Sequence, residues 1–158
     1  MSSHSRANGP ACRVRVVLTD MFRRLEDRLS PTEILCFGIG RLSSSAAREQ
    51  LAFLLALRDA MGSRISRTTV YDPLFAAEDT AVLARLEMTL PASNKCGAYA
   101  LDQRTVIYMP HCPKELYESL LRSNWSVRLQ SLAICGNDLE EYSMGDLSAY
   151  PCIQRIRA

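Results

Sequence analysis

Two short segments of this chain carry residue types that can do chemistry, and a third position is placed to join them. Phe37-Gly38-Ile39-Gly40 closes an apolar run, Ile34 to Phe37, and leads into Ser43, Ser44 and Ser45, which are helix-starting residues. Glycines there let a backbone turn tightly and approach a ligand, while the first amides and the dipole of the next helix favour an anion. Asp72 ends a second strand-like run, Thr68 to Tyr71, where a carboxylate can accept hydrogen bonds from a ribose diol. Gly38, Gly40 and Asp72 together suggest a nucleotide-like ligand, a nucleotide or S-adenosylmethionine, with Ser43 and Ser44 as further candidates. Against this, Ser43 stands where the third glycine of Gly-x-Gly-x-x-Gly belongs, and the lysine of a phosphate-binding P-loop is absent from the loop. The competing reading keeps the glycines for a tight strand-to-helix turn and gives Asp72 to the turn beginning at Pro73.

Pro110-His111-Cys112-Pro113 brings an imidazole and a thiol to a loop that the strand order given below sets across a crevice from the glycine turn. His111 is a candidate base or metal ligand, and Cys112, just before a helix, is a candidate for a lowered thiol pKa. The Cys-Pro pair is compatible with thiolate ligation of haem. Neighbouring residues point in different directions and no third metal ligand accompanies them, so no metal site is expected. The alternative is a rigid turn whose histidine hydrogen-bonds backbone and pins two loops together. Asn137, just beyond the last apolar run, is placed to face the crevice. Trp125 reads as a core anchor more readily than as a ligand-stacking ring, Tyr71 and Tyr108 read as core, and Arg41, Arg48 and Gln50 are either anion ligands or solvated. No catalytic residue is named by this pattern, and no cofactor is required by it.

The elements that must position these residues follow from periodicity. Val14, Val17, Leu18, Met21, Phe22, Leu25 and Leu29 recur at helical spacing and predict an N-terminal amphipathic helix, ended by Ser30-Pro31. Strands are expected at Ile34–Phe37, Thr68–Tyr71, Met88–Leu90, Thr105–Met109 and Leu132–Gly136. Helices are expected at about Ala46–Met61, closed by Gly62, after Pro73 with Val82, Leu83 and Leu86 on one face, and over Lys114–Arg122. Such alternation predicts an α/β fold, a Rossmann-like three-layer sandwich on a mainly parallel sheet of about five strands in the order 3-2-1-4-5. In that order the Gly38 loop and the Pro110 loop face each other across the crevice where ligands bind. The segment from Asn137 to Ala158 is the least readable.

Composition sets the bounds. With 158 residues, 47% hydrophobic and 23% charged, the chain suits one globular domain, expected over 13–158 after a flexible polar tail over 1–12. A formal net charge of +2 is too small to signal nucleic-acid or membrane binding by field alone. The longest apolar run, Leu51 to Leu57, is far short of the roughly 20 residues of a spanning helix. Six cysteines without a Cys-x-x-Cys, Cys36 and Cys135 among them inside apolar runs, speak against a disulfide framework and for a reducing compartment. The cytoplasm is the expected location, with the nucleus as a second.

Taken in order, Cys36-Phe37-Gly38-Ile39-Gly40, Ser43-Ser44-Ser45, Gln50-Leu51-Ala52, Val70-Tyr71-Asp72-Pro73, Tyr108-Met109-Pro110-His111-Cys112-Pro113, Tyr117, Asn124-Trp125 and Gly136-Asn137 resemble the sensitivity-to-red-light-reduced (SRR-like) domain family. The resemblance covers roughly Leu35 to Tyr142, and Met-Pro-His-Cys-Pro is its most specific part. It implies a regulatory protein, associated with circadian-clock and light-signalling control, with regulation of haem biosynthesis and with microtubule-related phenotypes in fungi. No established enzymatic activity comes with the family. The expected function is therefore regulation through an unidentified protein partner or small ligand held in the crevice. The alternative is a small transferase dependent on S-adenosylmethionine or a nucleotide.

Overall fold

The computed structural model describes residue 25 and residues 28–139 and 146–156. The predicted tail over 1–12 and most of the predicted helix over 14–29 lie outside the described residues. Leu25 and Leu29, from the end of that segment, pack against the core.

Four strands alternate with helices: β1 (Glu33–Phe37), α1 (Ser45–Met61), β2 (Arg67–Tyr71), α2 (Ala77–Arg85), β3 (Thr105–Met109), α3 (Lys114–Ser123), β4 (Leu132–Gly136) and α4 (Pro151–Ile156). The sheet order is β2-β1-β3-β4, and every pairing is parallel. Cys36 lies opposite Val70 on one side and Tyr108 on the other, which fixes the central register. Ile34, Cys36, Val70, Val106 and Tyr108 pack against Leu51, Leu54 and Leu57 of α1 and Leu83 of α2. Leu35, Phe37, Ile107 and Met109 pack on the other face, against Tyr117, Leu120 and Leu121 of α3 and Ile153 of α4. Burial on both faces is why β1 and β3 read as continuous apolar runs rather than alternating ones.

The helix starts are held by side chains. Ser44 caps α1, its Oγ accepting from the Ala47 amide at 3.1 Å, and Gly62 closes the helix with φ of 62°. Asp79 accepts from the Ala76 amide at 2.8 Å and so caps α2 from inside.

One expected strand is missing. Residues 88–90 form a single parallel bridge, Thr69 to Thr89, so the described sheet has four strands and not five. Two hydrogen bonds make the bridge, Val70 N to Thr89 O at 2.8 Å and Thr89 N to Thr68 O at 2.9 Å. Pro91 has no amide to continue it, and Leu90, 41% exposed, gains little from being there. The other four strands keep their expected neighbours. The chain therefore leaves β1 toward β2 on one side and returns to β3 on the other, and that reversal opens a crevice beyond Phe37 and Met109.

Candidate functional site

The loop after β1 takes its shape from two glycines with φ of 77° and 80°, Gly38 and Gly40. Gly38 is also fixed by crowding, because a Cβ there would lie 2.6 Å from Cys112 Sγ. Three of the loop amides are already occupied. Gly38 N donates to Tyr71 O at 3.3 Å, Gly40 N to Asp72 Oδ2 at 2.7 Å and Leu42 N to Asp79 Oδ1 at 3.1 Å. Asp72 Oδ1 accepts from Leu74 N at 2.8 Å. Asp72 thus caps the turn at Pro73, as the competing reading has it, and also ties that turn to Gly40. Two of the chain's own carboxylates stand where a bound phosphate would meet the Gly40 and Leu42 amides.

The loop after β3 is held from behind. His111 adopts φ of 57° with its backbone amide donating to Asn137 Oδ1 at 2.7 Å, and Asn137 Nδ2 donates to Cys112 O at 3.1 Å. The Asn137 amide donates to the Tyr117 hydroxyl at 2.7 Å, which in turn donates to Met109 O at 2.7 Å. Gly136 is a glycine because a Cβ there would collide with the Tyr117 hydroxyl. The pinning expected of His111 is done by its main chain; among the described residues its exposed imidazole takes part in no hydrogen bond.

Cys112 does not fit the candidate reading of a reactive thiol. Its side chain turns into the core, 3% exposed, and Sγ donates to Phe37 O at 3.6 Å. Burial, helped by the charge of Asp72, pushes the thiol up to about 12. A buried, protonated thiol already bonded to a carbonyl does not fit thiolate ligation of haem. Cys36 is pushed up as well, by burial first and then by the neighbouring Cys112.

Of the candidates, Gly38, Gly40, Asp72, His111 and Cys112 line one crevice of about 400 Å³. Phe37, Tyr71, Pro73, Leu74, Pro113 and Leu116 complete it with mostly apolar surface. Asn137 braces the crevice without lining it. Ser43 and Ser44 lie outside: Ser44 caps α1, and the Ser43 carbonyl accepts from Arg48 Nη1 at 2.8 Å. Hollows of about 480 and 540 Å³ lie at the opposite ends of the strands, among side chains such as Arg58, Asp59, Arg64 and Asp102, and contain none of the candidates. Tyr108 is core, stacked on Phe53 with centroids 5.2 Å apart, whereas Tyr71 is half-buried in the crevice wall. Trp125 is partly buried against the second core.

The roles of three buried polar residues escaped the sequence reading. Asp79 looked like an ordinary acidic residue in a first helical turn; its position three residues past the helix cap was the available signal. Asn124, fully buried, accepts from Leu101 N at 2.9 Å and donates to Tyr99 O and Leu120 O, both at 2.8 Å, so it fastens the loop before β3. Glu118 holds α4, accepting from Cys152 N and Ile153 N at 3.0 Å and pairing with Arg122 at 3.1 Å. Burial would raise Glu118, but those two amides and Arg122 together leave it below the ordinary carboxylate range.

The SRR1 domain model matches residues 18–158. The chain belongs to the SRR1 domain family. An SRR1-like protein of Mus musculus is 37% identical over 140 residues, 84% of this chain and 56% of the relative. Protein SENSITIVITY TO RED LIGHT REDUCED 1 of Arabidopsis thaliana is 30% identical over 115 residues, 70% of this chain and 41% of that protein. A Drosophila melanogaster SRR1-like protein is 26% identical over 144 residues, 89% and 51% of the two chains. The chain spans about half the length of the curated SRR1 relatives it matches. No solved structure matches it.

Proposed function

We propose that this SRR1-family chain is a regulatory protein of the cytoplasm or nucleus that holds a protein partner or small ligand in the crevice between the β1 and β3 loops. The observation that carries the reading is a preformed, mostly apolar crevice whose two walls are tied down by Asp72 and Asn137, a rigid recognition surface without an assembled nucleophile. The Arabidopsis relative is named for reduced sensitivity to red light. Light-linked or circadian control, and regulation of haem biosynthesis, are the processes that the family resemblance offers for this chain. Among the described residues no helix is long and apolar enough to cross a membrane, which suits a partner met in solution.

The second reading, a nucleotide- or S-adenosylmethionine-dependent transferase, is favoured by one observation: the glycine loop and Asp72 do meet at the crevice. It is weakened by the occupation of the Gly40 and Leu42 amides by carboxylates. Crosslinking in cells tests the first reading. A photoreactive phenylalanine analogue at Leu74, on the crevice lip, should give a discrete adduct that the same group at Val127, 80% exposed elsewhere, does not. Equal or absent adducts refute it, and a nucleotide or S-adenosylmethionine retained in native mass spectrometry moves the case to the transferase.

A further inference from the structure

We infer that the crevice takes a cationic side chain set among apolar ones, a Lys or Arg on an exposed segment of a partner protein, and does not take an anion. The inference rests on the crevice reading above and adds the chemistry of the occupant. The walls are apolar, and no Lys or Arg lines the crevice. Its one charged lining group is Asp72, 7% exposed, each of whose oxygens accepts a single amide and keeps a lone pair. Asp79, 6% exposed, stands behind it on the Leu42 and Ala76 amides. Neither carboxylate forms an ion pair among the described residues. Of the basic residues near it in sequence, Arg41 follows Gly40 but is exposed and outside the crevice lining, Arg48 Nη1 lies on the carbonyls of Leu42 and Ser43, and Lys114 lies over the Tyr150 ring at 4.6 Å.

Unpaired negative charge among apolar walls repels a phosphate and attracts a cation. Lys and Arg suit such a place because their aliphatic stems pack on apolar walls while the head reaches the carboxylate. A hollow of about 400 Å³ holds one such side chain and part of its neighbour. Leu74, 62% exposed on the lip, decides between sources: a small amine inside the crevice leaves it bare, whereas an apolar residue beside the basic one in a partner segment covers it.

Backbone amide shifts of Gly38, Gly40, Leu74 and His111 in the full chain provide the test. The probes are a capped Leu-Arg-Leu tripeptide, its Leu-Glu-Leu counterpart, tryptamine and ATP, each raised to millimolar concentration. The Arg peptide should shift these amides saturably, with the Glu peptide weaker by about tenfold or more and ATP silent. Leu74→Ser, at a position with no core role, should weaken the Arg peptide about threefold without moving the rest of the spectrum. Asp72→Asn should erase the preference for Arg over Glu. Equal binding of the two peptides, binding of ATP at these amides, tighter binding of tryptamine than of the peptide, or no shift by any probe each overturns the inference. Failure of the crevice reading would show separately, as loss of the Leu74 crosslink.

Discussion

Tyr117→Phe removes one oxygen atom, and the structure says what that atom holds. The side chain is fully buried, and its hydroxyl donates to Met109 O and accepts from Asn137 N, each at 2.7 Å. Phenylalanine fills nearly the same volume, so packing is kept while a carbonyl at the end of β3 and an amide after β4 lose a partner. A buried polar group left unpaired costs about 1–3 kcal/mol. The Met109 carbonyl is enclosed and bears most of that penalty, while Asn137 is only half-buried and its amide bears less. Together they predict a loss of about 2–4 kcal/mol, which for a chain of this size lowers the melting midpoint by roughly 5–15 °C. Urea and thermal unfolding followed by circular dichroism measure it, with Tyr150→Phe, whose exposed hydroxyl bonds to Glu115, as the control that should change little. A Tyr117→Phe protein as stable as the parent would refute the claim that this hydroxyl joins the two loops.

Cys96 is exposed, whereas Cys112 is buried and held protonated, so iodoacetamide at neutral pH should alkylate Cys96 before Cys112 and reach Cys112 only on unfolding; for the same reason Cys112→Ser should leave a haem titration unchanged. Gly38→Ala should cost about 1–3 kcal/mol through its positive φ and the contact with Cys112 Sγ, and a double-mutant cycle with Cys112→Ala should recover part of that loss. Glu118 has a folded pKa below its unfolded one, so its contribution is present above the ordinary carboxylate range and disappears as pH falls through the folded value. Urea midpoints from pH 7 down to pH 3 should therefore fall less steeply for Glu118→Gln than for the parent.

The strands that sequence reads best are those buried on both faces. Thr105–Met109, buried throughout, falls where apolar continuity puts it and β1 differs by one residue, while Leu132–Gly136 keeps its expected bounds although it is an edge strand and only half-buried. Met88–Leu90 fails because a short apolar run does not reveal whether a neighbour or a proline will stop its ladder; Thr89 pairs and Pro91 ends the pairing. At the crevice, residue types located the place but not the partners. Gly38, Gly40, Asp72, His111 and Cys112 do line one hollow, yet Asn137 turned out to brace it, and the direction of the Cys112 thiol depended on tertiary packing that no local pattern encodes. The roles of Asp79, Asn124 and Glu118 were invisible for a related reason, since each bonds to backbone groups and those carry no side-chain signature.

The order β2-β1-β3-β4 also bears on how the chain is made. The first of the described strands is a central one, and the segment that pairs along its second edge arrives much later: Thr32, just before β1, meets Arg104, just before β3, 72 residues further on. At about 5–20 residues per second, translation leaves that apolar edge unpaired for several seconds. During this interval β2, α1 and α2 are the described elements already made, and closing the second side must await a long-range contact of the kind that slows folding. The nascent form of this protein therefore exposes an adhesive strand that the finished one hides at its centre, and that interval is when the chain most needs a chaperone.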